Sequence, residues 1–243
     1  MKFLVTGTTG SVGSSLVKKL LEQGHIVIPA KREFYKEGGK DIDALFHLAA
    51  DVRGDNMFIN YQAPIKLFEK VIKNGCRRIV YASSTAVYGN TPTPFKEGQG
   101  ENPLNNYGKA KLLLDQKAME LEGAIIVGLR FCNIYGIKGS MIDQISQQVE
   151  PFLYNFGGQR RDYIHIQDAT RGLTSALNAK ESCVLNCAGG KAFSFNEICR
   201  ILGKKKIKYI GGAPKDFQTN TICDITLAKE KIGFSPKISL KKH

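Results

Sequence analysis

Apolar positions along the 243-residue chain fall into short continuous runs separated by segments with helical spacing. Phe3, Leu4 and Val5 form the first run; after a glycine-rich turn, Leu16, Val17, Leu20 and Leu21 recur on one helical face as far as Gly24. This order predicts strand, tight turn and helix. A second strand is predicted at 26–28 and a third, apolar nearly throughout, at 44–50. The intervening stretch of about a dozen polar residues is too short for another helix, strand and helix. Beyond it, a helix over 63–74 leads to a strand at 78–82, and a helix over 105–122 leads to a strand at 125–129. Buried strands alternating with helices imply a parallel sheet with helices on both faces. After Gly136 the pieces shorten to helices over 141–149 and 168–178, a strand at 184–186, and a last stretch that reads as a small mixed lobe.

The fold expected is therefore α/β: a Rossmann-type doubly wound parallel sheet, shortened by one strand-helix unit after the second strand, with a small mixed C-terminal substrate lobe. Residues 1–135 plus 162–188 would form the dinucleotide-binding part, and 136–161 plus 189–243 the lobe. A hydrophobic content of 42% is enough for one substantial core and excludes disordered and fibrous classes. Six cysteines without a CxxC pair read as reduced thiols in a cytoplasmic protein, and no metal-ligand set is expected. No apolar stretch approaches the roughly 20 residues that span a bilayer, and the N-terminus runs into a strand without a signal-peptide pattern. The net charge of +13 is concentrated from Arg200 onward, where eleven Lys or Arg face three Asp or Glu. Without aromatic interleaving or a nucleic-acid motif, this excess reads as a solvated face or as a field that attracts an anionic substrate.

The first turn reads Gly7-Thr8-Thr9-Gly10-Ser11-Val12-Gly13. Its glycines have separate tasks, in a tight turn, in close backbone approach to phosphate and in helix-to-strand packing, and the helix start then faces the anion. Gly7, Thr9, Gly10, Ser11, Val12 and Gly13 are accordingly read as a dinucleotide pyrophosphate cradle. At the end of the second strand, Pro29-Ala30-Lys31-Arg32 lacks the acid that would accept from the ribose diol of NAD. Lys31 and Arg32 suit a 2′-phosphate, so NADP is expected; NAD is the alternative if both are ordinary exposed cations.

Tyr107 and Lys111 lie four apart on a predicted helix, and Ser84 follows an apolar strand. A free phenol titrates near ~10, and a neighbouring ammonium together with an oxidised nicotinamide would need to supply only ~4 kcal/mol to make it a base at neutral pH. Tyr107 is read as the acid and base that accompanies hydride transfer, with Ser84 bonding the reacting hydroxyl.

These segments resemble the extended short-chain dehydrogenases/reductases that act on nucleotide sugars. The resemblance also rests on Phe46-His47-Leu48-Ala49-Ala50, Asn60, Leu129-Arg130-Phe131-Cys132-Asn133-Ile134-Tyr135-Gly136 and Arg161-Asp162-Tyr163-Ile164-His165. It implies that Leu48, Ala49, Ala50 and Asn60 line the cofactor channel with Tyr107 and Lys111, that Asn133 contacts the substrate, and that Arg161 pairs with its diphosphate. It further implies a homodimer formed through two helices per subunit, for which Ile65, Leu67, Phe68, Leu112, Leu113 and Leu114 offer apolar positions. Relative to most members the chain is shortened between Arg32 and Asp43 and between Gly136 and Arg161, and lacks the usual closing helix after Lys241-Lys242-His243.

Sugar dehydratases of this family carry an Asp-Glu pair after the hydroxyl residue, where this chain has Thr85 and Ala86. An NADP-dependent nucleotide-sugar epimerase is therefore the first reading, an NADPH-dependent keto-sugar reductase the second, and a non-catalytic dinucleotide-binding protein the third. The segment Ile137-Lys138-Gly139-Ser140-Met141 is similar to ADP-glyceromannoheptose 6-epimerases. That similarity makes Lys138 a second acid/base, against the alternative of an exposed loop lysine.

Overall fold

The computed structural model describes residues 1–31, 34–52, 56–215 and 217–240. In chain order its elements are β1 (Lys2–Thr6), α1 (Ser11–Glu22), β2 (Ile26–Pro29), α2 (Phe34–Glu37), β3 (Ala44–His47), α3 (Ala63–Lys73), β4 (Arg78–Ser84), α4 (Asn106–Met119) and β5 (Ile125–Phe131). The second half contains β6 (Asn133–Tyr135), α5 (Met141–Gln147), β7 (Phe152–Tyr154), β8 (Arg160–His165), α6 (Ile166–Ser175), β9 (Cys183–Cys187), β10 (Ala192–Ser194), α7 (Phe195–Ile201), β11 (Lys208–Ile210), β12 (Asn220–Thr221) and α8 (Thr226–Ile232). Six parallel strands form the main sheet in the order β2-β1-β3-β4-β5-β9.

Strand alternation explains why both faces of this sheet are apolar. Phe3, Val5, Phe46, Val80, Val127 and Leu129 point to one side, where Leu16 and Leu20 of α1 and Ala169 and Leu173 of α6 cover them. Leu4, Leu45, Ile79, Tyr81 and Ile126 point to the other and meet Leu67, Phe68 and Val71 of α3 and Leu114 and Ala118 of α4. Ile65, Leu67, Phe68 and Leu114 are thus spent in the chain's own core; of the apolar positions proposed for helix pairing, Leu113 is the one that is exposed.

Among the described residues between β2 and β3 the chain forms only the four-residue α2, and β2 remains the edge strand. β3 pairs on the opposite side of β1 from β2, so the direction of winding reverses there. Such a switch point leaves a crevice at the strand ends. Past β5 the strands are short, and β8 is their common seam. Its first half pairs with β10 and β12, and its second half with β6.

The predicted helix starts and ends agree with the structure to within a few residues, apart from a π-helical turn, Phe58–Gln62, that precedes α3. Helix α1 begins so close to β1 that a Cβ on Gly13 would lie 2.0 Å from the carbonyl oxygen of Gly7. A backbone atom cannot yield as a flexible side chain can. Gly13→Ala is expected to destabilise the fold by about 3 kcal/mol in urea unfolding, and a loss below ~0.5 kcal/mol would mean that the turn relaxes freely.

Candidate active site

The crevice at the switch point is built around Thr6. Its hydroxyl oxygen accepts from the backbone N–H groups of Leu48 and Ala49, both at 3.0 Å, which fastens the segment after β3 beside the end of β1. The same oxygen lies 3.0 Å from His47 Nδ1. With both lone pairs taken, the hydroxyl proton is assigned to Nδ1, which puts the imidazole N–H on Nε2. Gly7 follows at φ +68°, and a Cβ there would lie 2.7 Å from the Ala49 nitrogen. Gly10 then turns the chain, donating to Gly7 O at 3.0 Å, and α1 begins without a side-chain cap or an acidic residue in its first turn. Those first N–H groups form an anion site, with Thr9 and Ser11 exposed and Val12 half-buried beside them.

Leu48 and Ala49 are half-buried and Ala50 exposed along the wall of this trough. Asn60 supports that wall and is itself buried: its side chain accepts from Asp51 N at 2.9 Å and donates to Asp51 O at 2.8 Å. Lys31 is exposed at the end of β2, and Arg32 lies outside the described residues. A cradle that admits no Cβ at Gly7 or Gly13, with uncapped N–H groups facing it, fits a dinucleotide pyrophosphate.

Ser84 closes β4, where its hydroxyl accepts from Ala86 N at 3.2 Å. Asn105 caps α4 by accepting from Gly108 N at 2.8 Å, and the absence of a side chain at Gly108 lets this helix start against Ala86. Tyr107 is thereby set beside Ser84, whose hydroxyl acts to lower the phenol's pKa. One turn on, Lys111 is buried with its Nζ donating to Ala82 O at 2.8 Å and lying 5.8 Å from the Tyr107 ring centre. Burial dominates both titrations, pushing Tyr107 up to about 12 and pulling Lys111 down to about 8.

Asn133 and Arg161 line a cavity of about 200 Å³ with Ala86, Asn105, Phe217 and Gln218. The Arg161 guanidinium is buried, donates to the carbonyls of Arg160, Gln218 and Thr219, and lies 5.6 and 5.2 Å from the ring centres of Phe195 and Phe217. Among the described residues it has no carboxylate partner. An adjoining cavity of about 200 Å³ shares Met141 and Phe217 and is lined by Tyr154 and Gln159. The Gln159 Nε2 is buried and has no acceptor among the described residues. Lys138 is not grouped with these residues. It is exposed and lines a separate cavity of about 860 Å³ with Tyr135, His165 and Ile238.

Residues 36–188 match the model of the NAD dependent epimerase/dehydratase family. The chain belongs to that family. It is 30% identical to a putative UDP-glucose 4-epimerase of Methanocaldococcus jannaschii, over 98% of this chain and 94% of the relative. Among solved structures it is similar to the ADP-L-glycero-D-manno-heptose-6-epimerase of Helicobacter pylori, with a TM-score of 0.87 at 28% identity over 99% of this chain and 93% of the other. It is also similar to the UDP-glucose 4-epimerase of Thermotoga maritima solved with UDP-glucose, with a TM-score of 0.87 at 26% identity over 100% and 96%.

Behind this epimerase-family site lies a buried polar network whose partners the sequence did not connect. Asp115, one turn beyond Lys111, accepts from Tyr81 Oη and from Arg130 Nε, both at 2.9 Å. Arg130 reaches on to Glu101 at 2.8 Å and lies 4.9 Å from the Tyr88 ring centre. The four-residue spacing of Lys111 and Asp115 was the available signal, but Arg130 comes from β5 and Glu101 from the loop before α4. His47, in β3, is held neutral because burial, with the Lys111 charge adding, pulls it down to about 3.

Burial pulls Lys111 from its ordinary 10.5 down to about 8 in the folded chain, so the unfolded chain binds more protons between pH 8 and 10.5 and stability gains as pH rises through that window. The stability of the parent relative to Lys111→Met should therefore improve by about 3 kcal/mol from pH 7.5 to 10.5 in urea unfolding. A pH-independent difference would place Lys111 in water.

Proposed function

We propose that this protein is an NADP-dependent nucleotide-sugar epimerase in which Tyr107 is the acid and base. The observation that carries the reading is the buried Arg161 guanidinium, without a carboxylate partner among the described residues, opening on a cavity whose wall, Ala86 and Asn105, continues directly into Ser84 and Tyr107. A buried cation held only by carbonyl groups is incompletely compensated, and a diphosphate completes it with charge-assisted bonds. The sugar then extends toward Ser84 and Tyr107. The base falls in the adjoining cavity, where the unpartnered Gln159 amide donates to a ring carbonyl; uracil carries such carbonyls and adenine does not.

Gly7, Gly10, Gly13, Leu48, Ala49 and Ala50 would hold the dinucleotide, with Lys31 at its 2′-phosphate end. The nicotinamide supplies reversible hydride exchange with the sugar carbinol carbon. Ser84 positions the carbinol hydroxyl, Tyr107 takes its proton and later returns it, and Lys111 provides the positive charge that favours the phenolate. Burial outweighs Ser84 and pushes the Tyr107 phenol up to about 12. The Lys111 ammonium, and a cationic nicotinamide if bound beside it, would favour the phenolate.

Incubation with UDP- and ADP-sugars and a catalytic amount of NADP should give NMR signals of an inverted centre, with UDP-sugars the better substrates. One NADPH consumed per product would make the protein a reductase instead. Tyr107→Phe should lower turnover by about 10²–10⁴-fold while leaving nucleotide-sugar binding within about twofold. Wild-type turnover that survives this change sinks the assigned role.

Cofactor choice is tested separately by dissociation constants. NADP is expected to bind at least about tenfold more tightly than NAD, as one phosphate paired with Lys31 supplies ~1.4 kcal/mol or more. Lys31→Ala should remove most of the preference, and tighter binding of NAD would overturn it.

A further inference from the structure

Lys111 is a buried cation whose one hydrogen-bond acceptor is a backbone carbonyl, and no carboxylate among the described residues lies within ion-pair distance of it. That arrangement is costly unless a nearby negative charge compensates it. The carboxylate that does so is Asp115, on the same helix one turn away and equally buried. Both of its oxygens are engaged, by the Tyr81 hydroxyl from β4 and by Arg130 Nε from β5, so it is fixed in place and cannot swing to solvent.

We propose that Asp115 is a positioning residue for the reaction proposed above: its fixed carboxylate keeps the Lys111 ammonium charged beneath Tyr107, and Arg130 with Glu101 sets how much of that negative charge Lys111 receives. The inference rests on that reading for its effect on turnover, though not for its electrostatics. Charged and titratable groups around the pair come from each neighbouring element. They are His47 from β3, Tyr81 and Ser83 from β4, Arg130 from β5, Glu101 from the loop before α4, and Tyr107 on α4 itself. His47 is neutral and adds no charge of its own. Asp115 acts to raise the pKa of Lys111 and so offsets part of the effect of burial. Burial pushes the Asp115 carboxyl up, and the Arg130 guanidinium works against that to keep it ionised. Alternating signs along Lys111, Asp115, Arg130 and Glu101 leave the stack neutral as a whole, yet each removal unbalances it in a known direction.

The test reads the charge of Lys111 directly, by the ¹³Cε shift in ¹³C-lysine-labelled full-length protein, assigned with Lys111→Met. Asp115→Asn should move the Lys111 midpoint down by about one pH unit, and Asp115→Glu should leave it within a few tenths of the parent. Arg130→Gln, which removes the cation that keeps Asp115 ionised against burial, should also move it down. The alkaline limb of the pH–turnover profile should follow each shift. A folded Asp115→Asn protein with an unmoved midpoint overturns the proposal; should that variant not fold, an unmoved midpoint in Arg130→Gln does the same. If the wild type turns over no nucleotide sugar, the functional reading fails while the Lys111 midpoints still decide this one.

Discussion

The sheet edge at the switch point depends on one oxygen atom. Thr6 Oγ1, at the last position of β1, is where the end of β1, the segment after β3 and the His47 ring meet. Because β2 and β3 pair on opposite sides of β1, the strand ends there would otherwise diverge, and two backbone N–H groups would face the crevice without acceptors. One hydroxyl satisfies both and brings Leu48 and Ala49 against Gly7, where only hydrogen fits. The shape of the trough follows from that contact, as does the placement of the His47 ring.

Around Tyr107 and Lys111, burial and charge work against each other. Burial raises the phenol and lowers the ammonium, which taken alone would leave two neutral groups and no base. Asp115, held by Arg130 and Glu101, offsets part of the effect on Lys111 and so favours its charged form, while it pushes the phenol further up. One fixed carboxylate thus favours the protonated form of both groups. A solvent-exposed Tyr and Lys at the same spacing would be screened and could not respond in this way.

Much of the first half was legible in the sequence because its signals are local. Continuous apolar runs gave the buried strands, 3.6-residue spacing gave α1, α3 and α4, and the short polar stretch before β3 revealed that one strand-helix unit is missing. Gly7, Gly10 and Gly13 could be assigned tasks because a turn onto a helix imposes them within seven residues. The function of Asn60 was not legible: it bonds the Asp51 backbone, a contact fixed by the π-helical turn and not by any pattern of polarity. Lys138 was linked to Tyr107 by local similarity, yet the turn at Gly136, where only a glycine clears the His165 ring, leads it to a different cavity.

The substrate side was harder to read for a topological reason. β8 pairs with β10, β12 and β6, so the surroundings of Arg161 come from residues about 35 and 57 positions further along the chain, Phe195 and Gln218 among them. Each of those segments is short and carries no periodicity of its own. Sequence could flag Arg161 as a charge; that it lies near two aromatic rings, with no carboxylate partner among the described residues, depends on tertiary pairing alone. The same pairing brings Gln159, one residue before β8, to an apolar cavity with its amide unpaired. In this chain, then, local pattern determines where a nucleotide cofactor can lie, whereas the pairing of short strands around β8 determines which nucleotide sugar can lie beside it.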